Sequence, residues 1–317
     1  MPYILIIGDE EDPHVASVCI FLKAKKVDFF ILNPYKGSSN SITYTFNPLQ
    51  ILGTCNGREV NLSEITVVWW RLKPNLVSFP ENKDDFERQK FLLREWQLTL
   101  EPLKHFLKDC FWINRREADS LVRNKPYQLE MAHQNGFNIP KGIISNNSTF
   151  VQETAAKFDQ FIYKPLSYFI VPPDQILYSC IMTEEDVRQK SKNIEQAPCI
   201  FQEYLEKDFE LRITVVGDQV FPVKINSQKN SKTKFDWRKD QTHVEYELFV
   251  LPEELKTKLL RLHREFKIVY GAYDFIVDPK GTYYFLEVNP AGQWLWMEEV
   301  LGINISETIA NALICRN

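Results

Sequence analysis

No Cys-x-x-Cys pair occurs among the 317 residues, and the six cysteines (Cys19, Cys55, Cys110, Cys180, Cys199 and Cys315) are scattered along the chain. That scatter speaks against a zinc knuckle and a disulfide framework, and reduced thiols in a cytoplasm fit it best. The five histidines (His14, His105, His133, His243 and His263) show no His-x-x-x-His spacing, and there is no Gly-x-Ser-x-Gly elbow. Zinc-enzyme and serine-hydrolase chemistry are therefore set aside. Neither sign of charge is in large excess: 38 basic against 42 acidic residues leave a net charge of −4. No global attraction to nucleic acid or to an anionic membrane follows from that balance. No apolar stretch is long enough to cross a bilayer. The opening run Tyr3 to Ile7 is too short for a signal-peptide core and leads into Asp9, Glu10, Glu11 and Asp12 rather than a cleavage site. Only Gly8 sits in the first turn, which excludes the dinucleotide fingerprint and the Walker A loop. Internal repeats and low-complexity tracts are also missing.

The remaining composition, 44% hydrophobic and 25% charged, is that of a globular chain long enough for two or three compact units. Residues 3 to 33 read as an apolar strand, an acidic turn, an amphipathic helix and a second strand, the opening of an α/β layer. The acidic turn suits a helix N-terminus. "EITVVWWRLKP", 64 to 74, reads as a buried strand ending at Arg71 and Pro74, with Arg71 either meeting an anionic substrate or simply exposed. Helical periodicity covers 84 to 108 with a break near Pro102. "FIYKPL" reads as a strand carrying Lys164, and from about 199 the chain turns strand-rich. A hairpin spans "FELRITVVGDQVFPVKI", a helix runs from about 252 to 267, and a last helix, 306 to 314, has Ser306 placed as its cap.

Several polar residues fall where a strand would otherwise be apolar. In "GAYDFIVDPKGTYYFLEVNP", 271 to 290, Asp278-Pro279-Lys280-Gly281 supplies a turn between two alternating strands. With symmetric pairing about Pro279 and Lys280, Asp274 faces Phe285, and Glu287 and Asn289 project from the same side. A bulge would shift that parity, and a solvated sheet face is the other reading. Two carboxylates and an amide oxygen suit magnesium, which shares its sites with phosphates. Lys125 opens a helix and Lys164 sits among Phe161, Ile162 and Tyr163. A buried lysine needs an anion, which a nucleotide's phosphates or a structural carboxylate could supply. Glu203 lies where a strand gives way to a polar turn. Glu210 and Arg212 share one strand face, as a ribose and phosphate pair or as a surface ion pair. The polar run 224 to 243 is either a mobile lid near substrate or a solvated loop; Trp237 alone is too thin a platform for single-stranded nucleic acid. Trp294 and Trp296 read as packing aromatics.

In their order, two lysines, a strand-end glutamate, Glu-x-Arg, and then Asp with Glu-x-Asn, these features resemble the ATP-grasp superfamily. "YFLEVNPAGQWLWMEE", "ELRITVVGDQVFPVKINSQ" and "DWRKD" are similar to the ATP-grasp ligases that cross-link ribosomally made peptides, the microviridin-type macrocyclases. The resemblance covers about 115 to 315 well and the first 110 residues in outline. It implies an α/β (α+β) ATP-grasp fold with an N-terminal α/β pre-ATP-grasp domain at 1–114, a central subdomain at 115–200 and a C-terminal subdomain at 201–317. It further implies that Lys125 and Lys164 hold ATP phosphates, that the backbone at Glu203, Tyr204 and Leu205 receives adenine, and that Glu210 meets the ribose. Asp274, Glu287 and Asn289 would hold Mg2+. Arg212 and Arg238 would steady an acyl phosphate, with Lys224 a further nucleotide contact. The implied activity joins Asp or Glu side chains to Lys, Ser or Thr partners in a precursor peptide, as omega-amides or omega-esters. The implied partner is a leader plus an acidic, Thr- and Lys-bearing core, with neither nucleic acid nor membrane. A homodimer follows by analogy. A ligase adding free amino acids to a peptide or protein tail, and an ATP-binding regulatory module without turnover, are the alternatives. One departure stands out: "PLSYFIVPP" after Lys164 lacks the glycines that often let this loop fold over phosphates.

Overall fold

Ile4–Ile7 is buried at all four positions, as a strand covered on both faces must be, and it lies in a wholly parallel sheet. The order is Phe29–Leu32, Ile4–Ile7, Val67–Trp70 and Phe111–Ile113. The computed structural model describes residues 2–72, 83–158, 160–166, 170–171, 175–176, 179–231 and 233–316; Pro74, at the expected end of the third strand, lies outside them. Asp12 caps the helix Pro13–Ala24 by accepting from the His14 N–H, and Pro13 occupies its first turn. The acidic turn thus serves the helix start. Helices Lys83–Leu100 and Leu103–Phe106 are separated at Pro102. A small antiparallel sheet, Ser41–Thr45, Gln50–Cys55 and Arg58–Asn61, completes this unit.

The central sheet is antiparallel, in the order Cys180–Met182, Phe161–Lys164, Cys199–Glu203, Gly142–Ser145. Val151, Phe161, Val187 and Phe201 form its own core. The last sheet has five antiparallel strands: Tyr246–Leu248, Gln219–Ile225, Phe209–Val216, Tyr270–Val277 and Tyr283–Asn289. One of its faces, with Leu211, Ile213, Tyr273, Phe275 and Phe285, packs under the helix Glu253–Glu265. Among the described residues no helix is long and apolar enough to cross a membrane.

Two helical segments pack in the core of a unit remote from them in sequence. Val122, Ala132 and Phe137, grouped by sequence with the central unit, pack in the core of the C-terminal sheet. The helix Ile305–Cys315 packs with Ile4, Val15 and Leu22 of the N-terminal unit. An amphipathic stripe buries against the nearest apolar surface, whatever its place in sequence. Ser306 is not the cap of that helix. It lies inside the helix, wholly buried, accepting from the Trp294 indole N–H at 2.8 Å and donating to Glu298 at 2.7 Å.

Candidate active site

The hairpin Tyr270–Val277 and Tyr283–Asn289 turns through five residues, with Asp278 accepting from the N–H groups of Lys280 and Thr282 at 2.9 and 2.7 Å. Phe275 faces Phe285, and beyond them the register shifts by one, so that Asp274 faces Glu287 and Ala272 faces Asn289. Pairing of Asp274 with Phe285 is thereby corrected. The odd loop alone would turn Glu287 to the face of Tyr273; the bulge at Leu286 returns it to the face of Asp274. Asp274, Glu287 and Asn289 then share one side of the sheet, and Tyr273, Phe275, Phe285 and Val288 fill the core on the other.

Cations surround this acidic pair. Arg212 is the register partner of Asp274 and donates to it at 3.2 Å, and the Lys125 ammonium donates to Glu287 at 2.7 Å. Lys125 begins the helix Lys125–Gln134, and one turn on the buried Gln128 exchanges hydrogen bonds with Val288, donating at 2.9 Å and accepting at 3.0 Å. That clamp fixes the lysine beside Glu287, and no spacing rule reveals it. Arg238 is gripped from one side by the buried carboxylate of Asp236, at 2.8 and 2.6 Å. Burial alone raises the Glu287 carboxyl, but Lys125, Arg238 and Lys164 outweigh it and hold the pKa down at about 2. At Asp274 burial wins over the pull of Arg212 and, with Glu287 opposite, pushes the carboxyl up to about 6. Two opposed carboxylates in one cationic field are a fit donor set for a hard divalent ion. Asn289 Oδ1 accepts from the Ala291 N–H at 2.9 Å, which orients the amide oxygen and leaves it a second lone pair.

Across from this face, Lys164 extends from the central sheet, its ammonium 3.4 Å from Gln202 Oε1. Burial drives its pKa down to about 8, with Glu287 pulling up and Lys125 pressing down. A cleft of about 700 Å³ is lined by Glu203, Tyr204, Lys207, Gln228 and Lys234 among others. Glu203 is tied to the Lys141 N–H at 2.8 Å and the Tyr204 N–H donates to Gln160 at 3.0 Å, while among the described residues nothing accepts from the Leu205 N–H. Glu210 receives a bond of 2.7 Å from Lys207, a buried lysine absent from the sequence reading although it lies three residues away.

Not every expected residue joins the set. Lys224 pairs with Leu211 on the opposite sheet face, its ammonium 4.6 Å from the Phe209 ring centre. Arg71 is neither exposed nor in the cleft. It is buried against the loop after Asn289. The run 224 to 243 is anchored at Trp237, which packs with Trp296 and Tyr246, and by the buried Thr233, which donates to Ser227 at 2.8 Å. Of the loop after Lys164, Ser167 to Phe169 and Pro172 to Asp174 lie outside the described residues.

A strand-end glutamate, opposed acids on a bulged hairpin and lysines from a helix start and a strand end define an ATP-grasp architecture, and residues 123–313 match the RimK-like ATP-grasp domain. The match spans more than half of the chain, which therefore belongs to the RimK-like ATP-grasp family. No curated protein sequence matches it. A RiPP-associated ATP-grasp ligase of Chryseobacterium gregarium, solved with ADP and a leader and core peptide, is 24% identical with a TM-score of 0.88, over 100% of this chain and 98% of that one. Macrocyclase MdnC of Microcystis aeruginosa MRC, solved with precursor peptide MdnA, is 27% identical with a TM-score of 0.86, over 99% and 100%. The ATP-grasp ligase PsnB, solved with a precursor variant, Mg and ADP, is 20% identical with a TM-score of 0.79, over 100% and 99%. The likeness to peptide-modifying ATP-grasp ligases thus extends to the N-terminal unit.

Proposed function

We propose that this protein is an ATP-dependent carboxylate–amine or carboxylate–hydroxyl ligase that modifies a ribosomally made precursor peptide through an acyl phosphate. The observation that carries the reading is the opposed Asp274–Glu287 pair with Asn289 on one face, bracketed by Lys125, Arg212 and Arg238. Likeness over nearly the whole chain to MdnC, solved with its precursor, supports the peptide as substrate class.

A carboxylate resists attack by amines and hydroxyls until it is activated. In this reading a peptide carboxylate oxygen attacks the γ-phosphorus, the bond to ADP breaks, and the acyl phosphate then loses phosphate to an incoming amine or hydroxyl. Lys125 and Lys164 hold the phosphates, Glu210, fixed by Lys207, accepts from the ribose, and the backbone of Glu203 to Leu205 receives adenine. Arg212 and Arg238 meet the charge that develops on the transferring group. Asp274, Glu287 and Asn289 would hold magnesium, which supplies charge neutralisation at the phosphoryl oxygens. The division at 114 and 200, a cytoplasmic site of action, omega-amide or omega-ester products and a homodimer belong to the same proposal; light scattering tests the last.

The test mixes protein, ATP, magnesium and acidic peptides bearing Thr and Lys, and records intact peptide masses. Successive losses of one water per peptide are expected, whereas peptides that gain amino-acid residues would point to a free amino-acid ligase. Asp274→Ala and Glu287→Ala are expected to abolish ADP formation, and sustained turnover in both sinks the reading.

A further inference from the structure

The acidic first turn and Arg71, which the chemistry above does not use, meet the loop that follows Asn289. Arg71, only 4% exposed, donates from Nη1 to the carbonyls of Ala291 and Gly292 at 2.7 and 3.2 Å, and its guanidinium lies 4.8 Å from the Trp294 ring centre. Its Nε stands 3.7 Å from Asp12. The Trp294 N–H donates to His14 Nε2 at 3.2 Å. A backbone N–H can only donate, so Nε2 is the bare nitrogen, and Nδ1–H donates to Asp12 at 2.9 Å. Asn114 donates to the Pro290 carbonyl at 3.2 Å, and the Tyr270 hydroxyl to that of Gly292 at 2.9 Å. Every carbonyl from Pro290 to Gly292 is therefore held, two of them by Arg71 and one by Asn114, the residue that follows the strand Phe111–Ile113.

We infer that Arg71 is a positioning residue for the metal-site asparagine, acting through the Ala291 backbone, whose carbonyl Arg71 holds and from whose N–H, in the preceding peptide group, the asparagine accepts. Asn289 Oδ1 takes its orientation from the Ala291 N–H, and the carbonyl of the same residue is the one that Arg71 grips most closely. The guanidinium fixes the Ala291 backbone, that backbone fixes the amide, and the amide stands on the same sheet face as Glu287. Burying a guanidinium whose Nη2 finds no hydrogen-bond partner among the described residues is costly, and a stability role alone is served better by an apolar side chain. Close approach keeps the loop in register as well: a Cβ on Gly292 would stand 2.5 Å from that of Ala272, the register partner of Asn289.

The inference rests on the magnesium reading of Asn289, and one titration separates the two. Mn2+ binding in the presence of ADP is followed by electron paramagnetic resonance for the full-length protein and its Asp274→Ala, Arg71→Met, Arg71→Lys and Gly292→Ala variants, with circular dichroism as the check on folding. Expected is Mn2+ binding by the wild type and its loss in Asp274→Ala, with about tenfold weaker binding in Arg71→Met and partial recovery in Arg71→Lys. No Mn2+ binding by the wild type overturns the magnesium reading itself, and the inference with it. Wild-type Mn2+ affinity in folded Arg71→Met overturns the inference alone. If Arg71→Met does not fold, folded Arg71→Lys decides: weakened Mn2+ binding upholds the inference and wild-type affinity overturns it, with Gly292→Ala, whose Cβ would press on Ala272 and Asn289, as the control for a displaced loop.

Discussion

Asp236 never meets substrate in the proposed reaction, yet it decides where a cation points. Its carboxylate takes Nε and Nη2 of Arg238, and its Oδ1 also accepts from the Arg238 N–H at 3.1 Å. The guanidinium's remaining donors, on the edge away from Asp236, are free to face the developing charge. Asp236→Asn keeps the shape and loses the charge and one acceptor. Its kcat for ADP formation is expected to fall on the order of 10²-fold, the cost of misplacing one donor to a transition-state oxygen. KM for ATP should change far less, which steady-state kinetics will read. Because Asp236 acts through Arg238, the double variant Asp236→Asn, Arg238→Ala should be no slower than Arg238→Ala alone. Additive losses would count against that linkage.

At the scale of elements, patterning identified the two strands of the hairpin, the helix Glu253–Glu265 and the break at Pro102, because each follows from periodicity or from a residue with one dominant effect. It did not locate the bulge at Leu286, since no local residue type demands one; the demand comes from two faces with opposite requirements. Arg71 and Ser306 were misread for a related reason. A polar residue at an element's end looks exposed until a distant segment covers it, and here that segment follows Asn289. His263, on the helix that roofs the five-stranded sheet, gives this element a pH signature. Its Nε2–H donates to the Val269 carbonyl and its Nδ1 accepts from the Tyr273 hydroxyl at 2.8 Å, so the ring is neutral, and burial holds its pKa down at about 4. Unfolded, it titrates near 6.5. Between those values the unfolded chain binds more protons, so the contribution is complete above about pH 6.5 and declines as pH falls toward 4. It amounts to on the order of 3 kcal/mol. Melting temperatures between pH 7 and pH 5 should therefore fall more steeply for the wild type than for His263→Gln; equal slopes would refute this assignment.

Across the whole molecule, the site is assembled from units that sequence order separates. Lys125 and the acids belong to one core, Lys164 and Glu203 to the other, and the N-terminal sheet closes the far side of the loop after Asn289. The order of motifs along the chain was legible because each sits on its own element, whereas which element packs in which core was not, as with Val122 and Phe137. Lys164 reports the meeting of the two halves. Its ammonium is desolvated by the surrounding protein and pressed by Lys125, which holds it at about 8 until an anion enters. A polyphosphate beside it favours the charged form, so nucleotide binding must carry a proton into the site once the free lysine has begun to lose its own. The uptake should rise from about 0.1 proton at pH 7 to about half a proton at pH 8, and affinity should then weaken by up to about tenfold per further pH unit. Lys164→Arg, which stays charged throughout, removes both trends and serves as the baseline for the nucleotide's own titration. Calorimetry of ADP binding in two buffers of different ionisation enthalpy measures the difference between the two proteins directly. If that difference is zero at pH 8, Lys164 is either already paired in the free protein or does not reach the phosphates, and the two lysines no longer form one cradle.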